Sequence, residues 1–234
     1  MDFEKLSAPS LKELFIQQLE TMILSGKLPV GEKLPPEREL AHNMQVSRTV
    51  VNGGITELAR KGFLTIKPRI GTFVADYRRN GTIETLISIM NYNGGILRDD
   101  EIRSILELRL GLDTLAINLC IPKITEEELS ILKEKVDFLK TAHTPEEASI
   151  IAFEFQHELA CLSGNTLMPL IFSSFRIPVT TLWERFCRLY GIEALHNNTL
   201  TLFQHIEAKD TQKALNWLTT SINDTIQGNR PIYY

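Results

Sequence analysis

The residue types that could do chemistry in this sequence are few and widely spaced. His157 and Glu158 begin what would be the zinc-protease motif H-E-x-x-H, but the motif is incomplete because position 161 is a cysteine. Cys120, Cys161 and Cys187 form no C-x-x-C pair, and an odd, scattered set is typical of buried thiols in a reducing compartment. No nucleophile is paired with a general base by its spacing, so the sequence predicts a protein that is not an enzyme.

A second set of side chains could bind a small molecule. Arg109 and His157 are suited to anchor an acidic head group, and aromatic residues are concentrated in the second half of the chain. Phe153 and Trp183 belong to that group and would line an apolar cavity with a few convergent polar groups. Two simpler alternatives stay open. Most aromatics at helical spacing belong to the core, and His157 is either a polar wall residue or a core histidine with satisfied hydrogen bonds.

Composition bounds the class of protein. The 234 residues suffice for one large or two modest domains. The net charge of −4 conceals an asymmetry, because residues 1–80 carry 12 Lys and Arg against 9 Asp and Glu, whereas residues 81–234 carry 13 against 20. A basic head on an acidic body predicts a polyanionic partner for the head only. There is no run of about 18 apolar residues and no signal-peptide pattern, so we expect a cytoplasmic protein.

Three helices are predicted in the first third of the chain. Ser10 and Glu13 have the spacing of a capping box, which starts a helix. The predicted apolar face of this helix consists of Leu11, Leu14, Phe15, Leu19, Met22 and Ile23. Pro36 opens a second helix, and a third helix spans residues 46–61 with Ser47 as its N-cap.

A β-hairpin is predicted after the third helix. Residues 64–67 and 72–75 have strand composition, and residues 68–71 form the turn between them. Three helices and a hairpin make a winged helix-turn-helix, in which the third helix enters the major groove of DNA. The hairpin then lies along the backbone or the minor groove.

The motifs of this region resemble those of the GntR superfamily of bacterial transcription regulators. Leu34-Pro-Pro-Glu-Arg-Glu-Leu-Ala41, Val46-Ser-Arg-Thr49 and Gly71-Thr-Phe-Val74 fall in the family's order and spacing. A match in several parts is far more specific than a lone glycine motif. The resemblance implies that residues 1–76 form a winged helix-turn-helix domain that binds DNA.

The residues predicted to contact DNA come from the second helix, the third helix and the wing. The hydroxyls of Ser47 and Thr49 suit phosphate oxygens at a helix N-terminus. Arg48 can reach a guanine edge or a phosphate, Arg38 resembles a family arginine that reaches the DNA, and Arg69 at the wing tip is suited to the minor groove. The full predicted set is Arg38, Ser47, Arg48, Thr49, Asn52, Arg69, Gly71 and Thr72.

Positions 52–54 depart from the family pattern. The family commonly has Arg-Glu-Ala where this chain has Asn52-Gly53-Gly54. Arginine favours guanine and asparagine favours adenine, so we predict a shift in operator preference. Each glycine in a helix interior destabilises the helix by about 1 kcal/mol relative to alanine. The third helix is therefore expected to be soft and to become firm on DNA.

The rest of the chain is predicted to be helical almost throughout. Residues 77–81 are polar and basic and are interpreted as a linker, and residues 82–234 as a bundle of six or seven helices. One of these helices begins near Asp99, and another is predicted to run unbroken over residues 167–190. The buried stripe predicted for the helix from Asp99 consists of Ile102, Ile105, Leu106, Leu110, Leu115 and Ile117.

This helical part resembles the FCD-type effector domain of the FadR branch of the superfamily. The matching marks are Arg103-x5-Arg109-x3-Asp113, the segment from Gln156 to Asn165, and Asp210-Thr-Gln-Lys-Ala214. The resemblance implies that residues 82–234 bind an effector and form a dimer. The effector-binding residues expected from these marks and from the aromatic and polar side chains are Arg109, Asp113, Phe153, His157 and Trp183.

Many such effector domains hold a divalent metal through one aspartate and three histidines. The resemblance places those positions at Phe153, His157, Thr199 and Ser221, where only His157 is a usual ligand. A stable site needs three or more N, O or S ligands, so we predict no metal and no other cofactor. A different alignment would bring Glu154, His196 or His205 into consideration.

The fold class that we expect is mainly α, with an N-terminal winged helix-turn-helix and a C-terminal all-α bundle. The expected function is that of a homodimeric repressor that binds palindromic operator DNA. Its effector would be a small organic acid or an acyl-CoA-like compound bound in the bundle. The alternative is a helical ligand-binding protein or enzyme whose winged helix makes protein contacts.

Overall fold

A computed structural model of the protein describes residues 9–90, 92 and 99–233. The chain divides into two compact units, residues 1–94 and residues 95–234. Both units are built mainly from helices, and the described strands form one two-stranded sheet in the first unit. The predicted fold class is confirmed. The first eight residues, on which the signal-peptide argument rests, lie outside the described residues.

The first unit begins with the three predicted helices. They are α1 (Leu11–Leu24), α2 (Glu37–Asn43) and α3 (Arg48–Arg60). The capping box of α1 is formed in both directions: the Ser10 hydroxyl accepts from the Glu13 amide at 3.2 Å, and the Glu13 carboxylate accepts from the Ser10 amide at 2.7 Å. The sequence pattern therefore located the start of α1 correctly.

A short hairpin follows the three helices. Strand β1 (Leu64–Lys67) pairs antiparallel with β2 (Gly71–Val74), so that Lys67 lies opposite Gly71. Lys33 forms an isolated bridge with Phe73, and the Leu34 amide donates to the Thr72 carbonyl at 2.9 Å. The segment before α2 therefore pairs with β2 and fixes the wing against the helices.

The core of the first unit corrects the predicted apolar face of α1. Leu11 and Leu14 are 57% and 45% exposed, whereas Ile16 is buried. The buried face of α1 packs on α3 and is centred on Phe15 and Leu19. Leu11 and Leu14 were therefore wrongly assigned to the buried face of α1. The face that packs is narrower than the spacing of the apolar residues indicated.

The predicted linker contains a turn of helix. Residues 77–80 form α4 (Tyr77–Asn80), and the Tyr77 ring packs on Phe63 with a centroid distance of 5.6 Å. The next helix, α5 (Ile83–Met90), is tied to the end of α3: Glu84 pairs with Arg60 at 2.5 Å. The Thr85 hydroxyl donates to the carbonyl of Lys61. These contacts place α5 in the first compact unit, while the functional boundaries at 76 and 82 stay predictions.

The second unit is a helical bundle. Its helices are α6 (Asp99–Cys120), α7 (Glu126–Thr141), α8 (Pro145–Leu162), α9 (Met168–Ser174), α10 (Arg176–Tyr190), α11 (Ile192–Glu207) and α12 (Thr211–Gln227). Helix α8 is central and packs against α6, α7, α9, α10 and α11. Thr125, Thr144 and Asp210 cap three of these helices through their side chains.

Two details of the bundle differ from the sequence predictions. The helix predicted over residues 167–190 is divided into α9 and α10 at Phe175. The division keeps Pro178 in the first turn of α10, whereas an unbroken helix would place a proline in its interior. In α6, Leu115 is 43% exposed, and Asp113 is buried instead.

The cysteines only partly follow the prediction of buried thiols. Cys120 and Cys187 are buried, and burial raises the pKa of each thiol to about 11. Cys161 is exposed. Among the described residues, no helix combines the length and the hydropathy that a bilayer crossing requires.

Candidate functional site

The N-terminus of α3 is shaped by its cap. The Ser47 hydroxyl accepts from the Val50 amide at 3.2 Å, and this hydrogen bond leaves its own O–H free to donate. Ser47, Arg48 and Thr49 are all exposed. An exposed helix N-terminus with free N–H groups and hydroxyls can bind phosphate oxygens.

The two faces of α3 are chemically distinct. Val51, Ile55 and Leu58 are at most 2% exposed and pack into the core of the first unit. Asn52 lies on the exposed face, together with Arg48 and Thr49. Arg38 is exposed on the neighbouring α2. The predicted polar side chains of α2 and α3 are therefore accessible to a partner, while the apolar face fixes the helix.

The wing tip has an unusual backbone conformation. Arg69 is exposed and has φ +63°, a left-handed conformation that disfavours residues with a side chain. Gly71 has φ +139°, and a β-carbon there would stand 2.6 Å from Cε of Lys33. The positive φ is what favours glycine at position 71, since the exposed end of the Lys33 side chain could move away from an added β-carbon. Thr72 is half-buried, and its carbonyl accepts from Leu34.

Two lysines beside the wing were missed by the sequence reasoning. The Nζ atoms of Lys33 and Lys67 lie 6.0 and 4.8 Å from the centroid of the Phe73 ring. The ring holds both ammonium groups near the hairpin through cation–π attraction. Lys67 could have been found because it ends a predicted strand, but Lys33 reaches the wing through a long-range bridge that no local pattern contains.

The helix pair α1 and α3 packs unusually closely at one glycine. A β-carbon on residue 54 would stand 2.3 Å from Cδ1 of Phe15, whereas one on residue 53 would lie 3.6 Å from Cε of Lys12. The first distance is a clash and the second an ordinary van der Waals contact. The two adjacent glycines therefore have different roles, and only Gly54 is required by packing.

The second unit contains a partly open cavity between its helices. The space open to the centre of a water molecule is about 60 Å³, enough for a small ligand or several waters. Its polar lining consists of Arg109, Gln156, Asn198, Thr199, Ser221 and Thr225. Trp183, Phe186, Trp217 and several leucines and isoleucines supply the apolar lining.

One side of this cavity is closed by the segment of residues 231–233. Ile232 lines the cavity and is 2% exposed. The Arg185 guanidinium donates to the Ile232 carbonyl at 2.7 Å and also to the Tyr233 carbonyl. The Tyr190 hydroxyl donates to the Pro231 carbonyl at 2.7 Å. The segment is therefore anchored through its backbone to α10.

Arg109 and Asp113 form a buried ion pair beside the cavity. The distance from Arg109 Nε to Asp113 Oδ2 is 3.1 Å, and the guanidinium carbon lies 4.3 Å from the centroid of the Trp183 ring. Burial raises the pKa of Asp113 to about 6, and the charge of Arg109 opposes that rise. Asp113 does not line the cavity itself, so its contact with a ligand would run through Arg109.

Gln156 is a cavity residue that the sequence reasoning did not identify as a site. It is 6% exposed, and its Oε1 is buried without a hydrogen-bond partner. It lines both this cavity and a smaller one of about 10 Å³ whose lining includes Phe153 and Phe172. A buried amide oxygen without a hydrogen-bond partner is costly, and a ligand that donates a hydrogen bond to it would remove that cost.

His157 lies apart from the cavity lining. Its Nε2 is 3.0 Å from the Ser173 hydroxyl, and its ring stacks on Phe153 at 5.9 Å between centroids. It is absent from the lining of both cavities, while Arg109, Phe153 and Trp183 line at least one of them. Its predicted role as an effector anchor therefore lacks geometric support, and the role stays a prediction.

The positions implied for a metal do not form a ligand set. The Thr199 and Ser221 hydroxyls donate to backbone carbonyls of their own helices at 3.0 Å each, and Phe153 offers no donor atom. No group of three or more His, Cys, Asp or Glu side chains that could hold a metal occurs in the described part of the chain. The residues present therefore do not fit the metal that this type of domain commonly holds.

Comparison with known proteins adds two family matches. Residues 11–74 match the model of bacterial regulatory proteins of the gntR family, and residues 104–224 match the FCD domain. The second match alone spans about half of the chain.

Similar proteins are named as regulators. The transcriptional regulator Mce2R of Mycobacterium tuberculosis is 27% identical over 176 residues, which are 75% of this chain and 73% of the relative. The transcriptional repressor NanR of Cronobacter sakazakii is 26% identical over 212 residues, 88% of this chain and 77% of the relative.

The fold is also found in a solved structure of a similar protein. It is a structure of Lar, described as controlling expression of the Listeria monocytogenes agr system, with a TM-score of 0.64 and 17% identity. The similarity covers 96% of this chain and 99% of that chain. With the two family matches, the two relatives named as regulators favour the regulator interpretation over the alternative of a helical ligand-binding protein or enzyme. The chain belongs to the GntR family of bacterial regulatory proteins and carries an FCD domain.

Proposed function

We propose that this protein is a cytoplasmic, homodimeric repressor that binds a palindromic operator and responds to a small effector. A single winged helix contacts only a half-site, and a two-fold dimer matches a palindrome. The protein would act as a regulator and not as an enzyme. The two family matches in one chain support a coupling between a DNA site and an effector site.

The observation that carries the DNA-binding proposal is the exposed polar face of α3 beside a cationic wing. Arg48, Thr49 and Asn52 are exposed on α3, and Arg69 is exposed at the wing tip. Lys33 and Lys67 add positive charge at the hairpin. This distribution supports a major-groove contact by α3 and a minor-groove contact by the wing.

The effector is proposed to occupy the cavity of the second unit. The guanidinium of Arg109 suits the carboxylate of a small organic acid, and the unpaired Oε1 of Gln156 can accept a hydrogen bond from a donor group of that acid. The apolar lining, including Trp183, would hold the remainder of the ligand. A cavity of about 60 Å³ suits a compact acid better than an acyl-CoA-like compound, whose chain would require the cavity to enlarge.

Fluorescence anisotropy with a labelled duplex from upstream of the protein's own gene tests the DNA-binding proposal. We expect tight binding to that duplex, a steep salt dependence and a stoichiometry of two chains per site. Arg48→Ala should weaken binding at least about ten-fold. The matched control is Arg103→Ala, which removes an exposed arginine of the second unit that pairs with Glu107 at 2.8 Å. Equal losses for both variants would refute the assignment of α3.

The effector proposal has a separate test. A metabolite panel is screened with the purified protein for shifts in melting temperature and then for release of the duplex. We expect small carboxylates to produce both effects and Arg109→Met to abolish them. A dimer that binds DNA equally well across the whole panel would count against ligand control while leaving the DNA-binding proposal intact.

A further inference from the structure

A hydrogen bond joins the two helices of the helix-turn-helix at their exposed surface. Glu37 is the first residue of α2, and Asn52 lies on the exposed face of α3. The Asn52 Nδ2 atom donates to Glu37 Oε1 at 3.2 Å. Glu37 is half-buried and Asn52 is exposed, so the carboxylate lies closer to the protein interior than the amide that it binds.

The chemistry of the pair fixes the orientation of the amide. A side-chain amide has two N–H donors and one carbonyl acceptor, and an ionised carboxylate can only accept. Turning the amide over would place its carbonyl oxygen against the carboxylate, with two acceptors facing each other. The bond to Glu37 therefore keeps Nδ2 inward and leaves the carbonyl and one N–H of Asn52 without a partner among the described residues.

Those two remaining groups match one base. Adenine presents N7 as an acceptor and its N6 amino group as a donor in the major groove, and asparagine reads both together. We propose that Glu37 is a positioning residue that holds the Asn52 amide in the orientation that reads adenine. This inference rests on the proposed DNA-binding function and adds a residue that the family resemblance did not assign to recognition.

The neighbouring acid offers a matched control. Glu39 lies in the same first turn of α2, is exposed, and makes no side-chain hydrogen bond among the described residues. Removing either carboxylate lowers the negative charge near DNA and should raise the affinity for every duplex by a similar factor. A change in base preference that occurs for Glu37→Ala and not for Glu39→Ala therefore reports the orientation of Asn52.

The experiment begins with selection of binding sites from random duplexes by the full-length wild-type chain. The selected duplex is then remade with 7-deazaadenine, which lacks the N7 acceptor, at each adenine of the half-site. We expect one position at which this change weakens wild-type binding about ten-fold. The loss should shrink to about two-fold or less in Asn52→Ala and Glu37→Ala, and stay about ten-fold in Glu39→Ala.

A further variant guards against misfolding. Glu37→Gln keeps the size of the side chain, but its amide can present either an acceptor or a donor to Asn52. The loss of affinity that 7-deazaadenine causes in this variant should therefore fall between the losses in wild type and in Glu37→Ala. The inference is overturned if 7-deazaadenine still weakens the binding of Glu37→Ala about ten-fold. It is also overturned if there is no adenine position at which Asn52→Ala reduces the effect of 7-deazaadenine. If the wild-type chain selects no duplex at all, the proposed function itself fails, and this outcome is distinct from the other two.

Discussion

The ring of Phe15 occupies the space that a β-carbon on residue 54 would need. The distance from such a carbon to Cδ1 of Phe15 would be 2.3 Å, which no real pair of atoms tolerates without movement. Gly54 therefore lets α1 approach α3 at the centre of the first unit, where Phe15 is 2% exposed.

Substitution by alanine should have opposite effects on stability at the two adjacent glycines of α3. Gly54→Ala should lower the free energy of unfolding by about 1–3 kcal/mol, because the clash with Phe15 outweighs the gain in helix propensity. Gly53→Ala should raise it by up to about 1 kcal/mol, since a methyl group there makes an ordinary contact with Lys12. Urea denaturation of both variants provides the measurement. A gain in stability for both would show that α1 can move away at no cost.

The wing tip should show opposite effects on stability and on binding. Arg69→Gly is expected to raise the free energy of unfolding by up to about 1 kcal/mol, because glycine tolerates the left-handed backbone. It should also weaken DNA binding through loss of the guanidinium. Arg69→Ala is the matched variant: it loses the guanidinium but keeps the strain. Unfolding and anisotropy titrations compare the two, and equal DNA affinity for all three chains would exclude Arg69 from the interface.

Asn52→Arg should change which base is read. Arginine donates two hydrogen bonds and pairs best with guanine, whereas the amide of Asn52 suits adenine. Selection from random duplexes should therefore replace adenine by guanine at one position of each half-site. Identical selected sequences for the two proteins would rule out a base contact at this position.

The buried aspartate predicts a pH dependence with a definite sign. Because the pKa of Asp113 is raised to about 6 in the folded protein, the folded state holds its proton more tightly than the unfolded state does. Its contribution to stability is therefore greatest below about pH 4 and is lost as the pH rises to about 6. The unfolding free energy of wild type minus that of Asp113→Asn should fall by at most about 3 kcal/mol between pH 4 and pH 7.

Chemical denaturation of the two proteins across this range isolates the contribution of Asp113. Carboxylates whose pKa is lowered, such as that of Glu13 beside Ser10, contribute less to the stability of the protein as the pH falls. These contributions are the same in both proteins and cancel in the difference. A difference that rises with pH would place the ionised carboxylate in a favourable environment and contradict the burial argument.

Replacing Gln156 should raise the stability of the ligand-free protein and remove its response to the effector. Gln156→Met removes a buried amide with an unpaired oxygen and is expected to stabilise the ligand-free protein by about 1 kcal/mol. The same change should abolish the shift in melting temperature that an effector produces in the wild type. Gln204→Met, at an exposed position of α11, is the control and should change neither property. An unchanged response in Gln156→Met would remove this residue from the effector site.

Local signals in the sequence were sufficient for much of the fold. The capping box at Ser10, the cap at Ser47 and the antiparallel hairpin after α3 depend on neighbouring residues and were predicted correctly. The division between α9 and α10 was not predicted, although it agrees with the position of Pro178, because proline is tolerated in the first turn of a helix and not in its interior.

The features that were missed depend on contacts between distant residues. The fit of Phe15 against Gly54, the approach of Lys33 to the wing and the unpaired amide of Gln156 have no local signature. The predicted effector set was assembled from residue types, and the cavity lining includes Arg109 and Trp183 but omits His157. Residue type indicates which side chains could bind a ligand, whereas helix packing determines which of them face the same space.

The anchoring of residues 231–233 to α10 has a practical consequence for work on the effector. Because Ile232 forms part of the cavity wall, loss of the hydrogen bonds from Arg185 and Tyr190 to this segment would alter the ligand chamber without changing any polar side chain that lines it. Effector screens therefore need residues 231–233 and their two anchoring side chains unchanged, so that the response reports the native chamber.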